Sequence, residues 1–498
     1  MTVQATQEQM AIVEAVQHGE NLLISALAGT GKTTTLSLIA QAYPARRGLY
    51  LAYNKNMQLD AEQLFPRHVR CKTIHALAYQ AIGHHYRNKL NSKLQASEVM
   101  FYFKIKPLKD KKYLASNLMI AASAIAMIRV FCYSAHPEIL PDHYSRYHVK
   151  QLQNKYENVP FDVNNILYPK TFIERFVYES LEYARRLWED MINLHNLMIP
   201  ATHDLYLKLY QLSDPHISDV DYIMLDEAQD ANPVILDILS RQNVQRIYVG
   251  DSHQQIYGYR GTIDAMSRIQ GKHLYLTQSF RFGEAIADKA NKILKKAGAL
   301  QMIKGNPRVN SQIQPVDSTK PYTFISRSNG AIFQEILQLS EQNRKVAFVG
   351  DVNQVVKSFE SAYYLFKGNL PKVTDYDLKK FMVWNLFKSE AIQTQDQDYL
   401  ALVNFVEIYQ DKTPAVLEKI RNVCQFTEGE ADVIVTTAHK AKGRQWNQVF
   451  LNGDFKYYNR EELNIFYVAL TRAVSVLDLS RIKGDVFLSN GKEEVLRF

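Results

Sequence analysis

SALAGTGKT, residues 25–33, is the stretch that decides the fold of this 498-residue chain. The apolar run over residues 21–25 predicts a buried strand, and two glycines then permit a turn whose backbone N–H groups face phosphate oxygens. Lys32 adds a positive charge for the β- and γ-phosphates, and the Thr33 hydroxyl is a suitable magnesium ligand. A helix that begins at Thr33 would direct its positive dipole end at the nucleotide. The predicted phosphate-binding residues are Ala28, Gly29, Thr30, Gly31, Lys32, Thr33 and Thr34.

A second stretch, DYIMLDE at residues 221–227, supplies the acidic groups that such a loop requires. Residues 222–225 predict a buried strand, and Asp226 follows at its carboxyl end, where α/β sheets place their ligands. Asp226 is suited to hold magnesium through its water shell, and Glu227 to orient and deprotonate an attacking water. A strand that ends in an acidic turn is common by itself. With the phosphate loop upstream, it predicts that a nucleoside triphosphate is bound with Mg²⁺ and hydrolysed.

Composition indicates a globular chain with a polyanionic partner. The length suffices for roughly three or four domains, and 46% hydrophobic with 22% charged residues is typical of well-formed cores. The net charge of +8 and the pI of about 9.0 favour a partner such as nucleic acid. Three cysteines without metal-ligand spacing favour a reducing compartment. Residues 1–19 lack a signal-peptide core, and the longest apolar run, residues 118–128, is too short to cross a bilayer. We therefore expect an intracellular protein, cytoplasmic in a bacterial or phage-type setting, that is not secreted and has no membrane partner.

Strand and helix patterns predict an α/β fold with two parallel-sheet cores, each interrupted by a mainly helical insertion. The alternation of predicted strands and helices stops at residue 84 and returns before Tyr222, then recurs in the second half around another irregular segment. The predicted first core comprises residues 1–83 and 201–280, its insertion 84–200, the second core 281–350 and 428–498, and the reduced second insertion 351–427.

Further motifs follow in a fixed order along nearly the whole chain. They are YLAYNK (50–55), KTIH (72–75), THDLYLKL (202–209), GDSHQQIYGYRG (250–261), QSFRFG (278–283), TAHKAKGRQW (437–446) and EELNIFYVALTRA (461–473). In content and spacing the chain resembles superfamily 1 DNA helicases of the UvrD/Rep class, and within them the helicase part of the F-box DNA helicases. The resemblance implies that both cores are RecA-like motor domains. No F-box sequence is evident, so we do not expect the ligase-adaptor role of those proteins.

The resemblance also assigns roles around the nucleotide. Gln9 would read the adenine edge, Phe280 would lie against the adenine face, and Gln445 stands where most relatives have a glutamate for the sugar. Gln254 would sense the γ-phosphate, while two arginines would reach it from the second core or the intervening cleft. A single arginine is usually a surface ion pair, but two in matching motifs favour the catalytic interpretation. The predicted catalytic residues are Lys32, Glu227, Gln254, Arg281 and Arg472, with Thr33 and Asp226 as metal ligands.

For the DNA track, the resemblance implies phosphate contacts that are independent of sequence and bases stacked on aromatic rings. The predicted DNA-binding residues are Asn54, Lys55, Thr73, His75, Tyr257, Tyr259, Arg260, His439 and Lys440. Core packing is the alternative role for Tyr259. The dense basic run over residues 104–112 fits either duplex contact ahead of a fork or a solvated lysine-rich loop.

The resemblance thus implies an ATP-dependent DNA helicase or translocase that moves 3′-to-5′ on single-stranded DNA in recombination or repair. Its expected partners are single-stranded DNA, single/double-strand junctions, and a recombinase filament or accessory protein. One alternative is a DNA-stimulated ATPase that strips proteins from DNA or is the motor subunit of a phage-defence complex. RNA as the track is a lesser alternative. A catalytically idle binding module would have lost Lys32, Glu227 or Arg472, and all three are present.

Overall fold

The computed structural model describes residues 5–91, 93–156, 159–256 and 265–487. Its amino-terminal half contains a six-stranded sheet in which every pairing is parallel. With strands numbered in chain order, the sheet has the order β3-β2-β6-β7-β1-β8. The bounds are β1 Leu22–Ala26, β2 Gly48–Ala52, β3 Val69–Thr73, β6 Tyr222–Leu225, β7 Gln245–Gly250 and β8 Lys272–Leu276. Helices cover both faces, which explains why the central strands are almost continuously apolar.

Because the strands are parallel, the segments that follow them emerge at one edge of the sheet. The phosphate loop follows β1 and the acidic turn follows β6, with only β7 between these two strands. The helices that pack on this sheet are α1 Gln7–Val16, α2 Lys32–Ala42, α3 Lys55–Leu64, α4 Ile74–Ala81, α9 His203–Leu212, α10 Pro233–Ser240 and α11 Ala265–Arg268.

The carboxyl-terminal half contains a second six-stranded parallel sheet, in the order β11-β12-β10-β13-β14-β9. Its strands are β9 Gln312–Ile313, β10 Tyr322–Ser326, β11 Val346–Phe348, β12 Val433–Thr437, β13 Trp446–Leu451 and β14 Ala473–Asp478. The flanking helices are α12 Glu284–Lys296, α13 Asn329–Glu341, α19 Ala438–Ala441 and α20 Arg460–Leu470. The predicted α/β class with two parallel-sheet cores is confirmed.

Helices interrupt both sheets. Between β3 and β6 lie α5 Ala96–Tyr102, α6 Asn117–Tyr133, α7 Arg146–Lys155 and α8 Phe172–Ile192. Between β11 and β12 lie α14 Val352–Phe366, α15 Tyr376–Lys379, α16 Trp384–Thr394, α17 Gln397–Tyr409 and α18 Thr413–Val423. The basic run over residues 104–112 forms most of an antiparallel hairpin, β4 Leu108–Asp110 and β5 Tyr113–Ala115, which the sequence pattern did not predict.

All three cysteines are buried free thiols, as their spacing indicated: Cys71, Cys132 and Cys424. Burial raises the pKa of each thiol, and it raises that of Cys71 to about 11. Among the described residues, no helix has both the length and the apolar character that a membrane span requires.

The two helical segments also pack against each other through polar contacts. The buried Glu390 carboxylate on α16 accepts the backbone N–H groups of Ala96 and Ser97 at 2.6 and 2.8 Å, at the start of α5. Lys93 lies 3.1 Å from Asp396 beside this contact. Burial raises the pKa of Glu390 to about 7, although the two N–H donors act in the opposite direction.

This pKa predicts a pH-dependent contribution to stability. Because the folded-state pKa of Glu390 lies above the unfolded value of about 4.3, its contribution is fully present below pH ~4.3 and is lost as the pH rises through about 7. We expect the wild type to lose on the order of 3 kcal/mol relative to Glu390→Gln between pH 4 and 8. Denaturant unfolding across that range measures the difference. Glu407→Gln, on a half-exposed surface pair with Lys388, is the control; parallel pH profiles for wild type and Glu390→Gln would contradict the prediction.

Candidate functional site

The phosphate loop joins β1 to α2 through two glycines in the left-handed region. Gly29 has φ of 73° and Gly31 of 76°, which side chains rarely tolerate. A Cβ on Gly29 would come within 2.8 Å of Arg281 Cβ and Ser279 Oγ, so the loop lies directly against the segment that carries Arg281. Within the loop, the Thr30 hydroxyl donates to Leu27 O at 2.8 Å, and Thr34 is exposed on the first turn of α2.

The two predicted metal ligands are adjacent. Asp226 is buried, and its Oδ2 accepts hydrogen bonds from the Thr33 hydroxyl at 3.0 Å and from the Tyr50 hydroxyl at 2.7 Å. Its Oδ1 accepts the backbone N–H of Glu227 at 2.8 Å. Hard oxygen donors at a phosphate loop are the ligands that Mg²⁺ prefers, so these residues fit that ion.

Tyr50 was not predicted as a site residue. It belongs to β2, whose register places it beside Met224 of β6, two residues before Asp226. The sequence contains the tyrosine within a recognised motif, but only the strand pairing shows that its hydroxyl orients the aspartate.

Glu227 forms an ion pair with the phosphate-loop lysine. Its Oε1 lies 2.8 Å from Lys32 Nζ, and its backbone has a positive φ of 53°. Burial alone would raise the pKa of Glu227, but the positive charges of Lys32 and Lys442 outweigh it and lower the pKa to about 2. Glu227 is therefore an ionised carboxylate, and Gln229 donates a further hydrogen bond to it.

Lys442 brings the second core into this cluster, although no role was predicted for it from the sequence. Its Nζ donates to Asp230 Oδ2 at 2.5 Å and to the Gln254 carbonyl at 2.8 Å, and lies 3.8 Å from Glu227. The Gln254 side chain donates to Asp251 Oδ2 at 2.6 Å. The sequence contains one indication that Lys442 belongs to the site. It lies within the TAHKAKGRQW motif, between Lys440 and Gln445, which were both assigned roles.

Both predicted arginines face the same cleft. Arg281 donates to Gln445 Oε1 at 2.9 Å and to the Thr471 carbonyl at 2.8 Å. Arg472 is 1% exposed, and its Nε donates to the Val468 carbonyl at 2.8 Å. Burial lowers the pKa of Arg281 to about 10 and that of Arg472 as well, while the nearby Glu227 carboxylate opposes both shifts. Arg281 also lies against Gly29 of the phosphate loop, whereas the hydrogen bonds of the Arg472 guanidinium go to Val468, Arg444 and Thr471 of the second core.

Gln9 and Phe280 lie on the other side of the loop. A Cβ on Gly31 would be 3.4 Å from Gln9 Nε2 and 3.5 Å from the Phe280 ring. The Gln9 amide donates to Thr35 Oγ1 at 3.1 Å and accepts from the Thr6 N–H, which holds it in place. The Phe280 ring is 38% exposed, so one face is open for a planar ligand.

Several predicted DNA-binding residues begin helices at the edge where β2 and β3 end. The Asn54 side chain accepts the Met57 N–H at the start of α3, and Thr73 accepts the Ala76 N–H at the start of α4. Lys55 is the first residue of α3, and His75 lies 3.9 Å from Asp204. A cavity of about 700 Å³ opens here between the first core and both helical segments; its lining includes Tyr53, His75, Tyr147, Thr202 and Tyr399.

In the second core, His439 and Lys440 are partly enclosed. Burial, followed by the charge of Arg327, lowers the pKa of His439 to about 4, so the imidazole is neutral at physiological pH. Lys440 Nζ lies 4.6 Å from the centre of the Phe348 ring. Their predicted DNA contacts remain predictions, and the predicted Tyr257, Tyr259 and Arg260 lie outside the described residues.

Comparisons with known proteins show that this chain is similar to DNA helicases. Residues 5–272 match the UvrD/REP helicase N-terminal domain, and residues 432–477 match the UvrD-like helicase C-terminal domain. F-box DNA helicase 1 of Gallus gallus is 30% identical over 96% of this chain and 49% of its own length. F-box DNA helicase protein 1 of Schizosaccharomyces pombe is 30% identical over 95% of this chain and 57% of its own length. ATP-dependent DNA helicase PcrA of Staphylococcus aureus is 22% identical over 63% of this chain and 43% of its own length. The chain thus spans about half the length of the curated relatives it matches.

Glu227→Gln tests the proton-accepting role without a change in side-chain size. We expect ATP hydrolysis to fall about 10²- to 10⁴-fold, because an amide cannot accept the proton of the attacking water. ATP binding should persist, since Lys32 and the loop N–H groups remain. Steady-state phosphate release beside fluorescent-nucleotide binding separates the two, and hydrolysis at the wild-type rate would exclude Glu227 as the base.

Tyr50→Phe tests whether the Tyr50 hydroxyl prepares Asp226 for a cation. Loss of the 2.7 Å hydrogen bond should raise the Mg²⁺ concentration for half-maximal ATPase activity about tenfold or more. Saturating Mg²⁺ should restore much of the rate. Tyr43→Phe is the matched control, because the Tyr43 hydroxyl donates to the Val13 carbonyl. An unchanged Mg²⁺ dependence in Tyr50→Phe would contradict the assignment.

Proposed function

This chain belongs to the UvrD/REP family of helicases, and we propose that it hydrolyses ATP to move along single-stranded DNA. The observation that carries the proposal is the convergence of both cores on one cluster. Lys32 and Glu227 come from the first core, while Lys442 comes from the second, and Arg281 lies against Gly29 of the phosphate loop. A triphosphate bound at the loop would therefore be contacted from both sides of the cleft.

In the hydrolytic step, Glu227 would accept the proton of the attacking water. Gln254 would sense the γ-phosphate. Arg281 and Arg472 would offset charge on the transferred phosphoryl group, an effect that reaches about 10³-fold or more in such enzymes. Mg²⁺ would be held by Thr33 and Asp226 and would neutralise charge on the β- and γ-phosphates. Lys32 would contact the same phosphates.

Movement would follow from closure and reopening of the cleft. ATP would draw Arg281 and Arg472 towards the phosphate loop, and hydrolysis would release them. The first core would hold the strand near Lys55 and His75, and the second near Lys440. Alternate gripping at the two places would then advance the protein, and the family membership supports 3′-to-5′ movement in DNA recombination or repair.

Single/double-strand junctions are the proposed substrate structure. The β4–β5 hairpin and the segment just before it carry exposed lysines, which would contact duplex phosphates by charge alone. These lysines are Lys106, Lys109, Lys111 and Lys112. A recombinase filament on the strand is the proposed protein partner.

ATPase activity measured with and without single-stranded DNA tests the proposal. We expect strong stimulation by DNA that weakens as salt rises, because the track contacts are mainly with phosphates. Lys32→Ala should abolish hydrolysis under both conditions. The same assay with RNA compares the two tracks, and a forked duplex with a 3′ tail tests unwinding and direction. An ATPase rate indifferent to nucleic acid would refute the motor function.

A further inference from the structure

Tyr467 on α20 of the second core reaches into the phosphate loop of the first. Its hydroxyl oxygen accepts the backbone N–H of Ala28 at 3.1 Å, and the residue is 1% exposed. The ring stands edge-on to His253, with 6.3 Å between centroids. Ala28 belongs to the turn that is built to surround phosphate, so this hydroxyl lies at the nucleotide site itself.

The hydroxyl proton of Tyr467 has no acceptor among the hydrogen bonds of the described residues. A phenol has one donor hydrogen beside its acceptor lone pairs, and the Ala28 contact uses only a lone pair. A fully buried donor without a partner costs free energy, so its presence requires a physical reason, and a ligand that accepts the hydrogen bond supplies one. Burial, followed by the Asp251 charge, raises the pKa of Tyr467 well above its ordinary value, so the proton stays on the oxygen.

Two arginines near the hydroxyl favour an anion as that ligand, although the negative charge of Asp251 acts in the opposite direction. The guanidinium groups of Arg281 and Arg472 both act on Tyr467 electrostatically, and Arg281 lies against Gly29 of the loop. These two positive charges, beside the hydroxyl proton, suit an acceptor that carries negative charge. In the proposed function, the terminal phosphate is the part of the nucleotide that lies towards Arg281 and Arg472.

We propose that Tyr467 is a nucleotide-binding residue whose hydroxyl donates a hydrogen bond to a γ-phosphate oxygen of the bound triphosphate. This inference deepens the proposed function and rests on it. A nucleoside diphosphate has no oxygen at that place. Tyr467 therefore distinguishes ATP from ADP and reports the presence of the γ-phosphate to α20, which also carries the contacts of the second core with the loop after β7.

Tyr467→Phe tests the proposal, because it keeps the ring and removes only the hydroxyl. Dissociation constants are measured by calorimetry, with Mg²⁺, for ADP and for the non-hydrolysable analogue AMP-PNP. We expect affinity for AMP-PNP to fall about tenfold or more, as for other hydrogen bonds to charged groups, while affinity for ADP changes less than about twofold. Equal losses for both nucleotides, or no loss, would overturn the proposal and leave Tyr467 with a packing role.

Tyr86→Phe is the matched control. Tyr86 is also buried, and its hydroxyl donates a single hydrogen bond to the Ile192 carbonyl at 3.0 Å, far from the loop in the helical segment. The ratio of the two dissociation constants should equal that of the wild type. Thermal melting of both variants shows whether the fold is retained.

Incorporation of 3-fluorotyrosine at position 467 tests the same hydrogen bond if the phenylalanine variant does not fold. Fluorine acidifies the phenol and strengthens it as a donor at nearly constant shape. Affinity for AMP-PNP should then rise relative to ADP, and an unchanged or lower ratio would overturn the assignment.

These outcomes can be distinguished from a failure of the proposed function. A wild type that discriminates ATP from ADP through Tyr467 but shows no stimulation by DNA would refute the motor function and leave the role of Tyr467 intact.

Discussion

The ion pair between Lys32 and Glu227 is the interaction on which the rest of the structure depends. It joins the loop after β1 to the turn after β6, and the parallel sheet brings both segments to one edge. Two buried charges are costly to remove from water, and their mutual contact offsets that cost only while both are present. Around this pair the chain arranges further polar groups in matched sets: Asp226 with Thr33 and Tyr50, and Asp230 with Lys442. The site is thus a network in which each charge restricts the position of the next.

Much of the fold was predictable because α/β chains repeat their signals. Apolar runs followed by glycines or acidic residues marked β1 and β6, and the predicted strand over residues 222–225 has the bounds that the structure shows. The edge strand β3 was not predicted, because only alternate residues are buried and charged ones intervene between them. The β4–β5 hairpin was also not predicted: its basic residues carry no apolar periodicity, and its turn depends on Lys111 with a positive φ.

The residues of the site also divide into those that the sequence predicted and those that it did not. Residues predicted to contact phosphate or metal belong to contiguous motifs, so Lys32, Thr33 and Asp226 could be named from the chain alone. Tyr50, Lys442 and Tyr467 act through contacts between segments that lie 176, 188 and 439 residues apart in sequence. Such contacts follow from strand register and from the way two cores pack, and no spacing in one segment indicates them. Asn54 and Thr73 were predicted to contact DNA, but the structure also gives their side chains a structural role. Each side chain accepts a backbone N–H at the start of a helix.

Several contacts between the cores use backbone groups of the first core, in addition to the side-chain pair between Lys442 and Asp230. Lys442 donates to the Gln254 carbonyl, Asn464 donates to the carbonyls of Ser252 and Gln255, and Tyr467 accepts the Ala28 N–H. Backbone atoms move only when the loop itself changes conformation, so these contacts respond to loop geometry and not to rotation of one side chain. A phosphate that reshapes the loop must therefore alter several inter-core contacts together. In the proposed function, this arrangement would couple hydrolysis at Glu227 directly to the second core, because the groups proposed to contact the nucleotide and the groups that hold the cores together share the same turns.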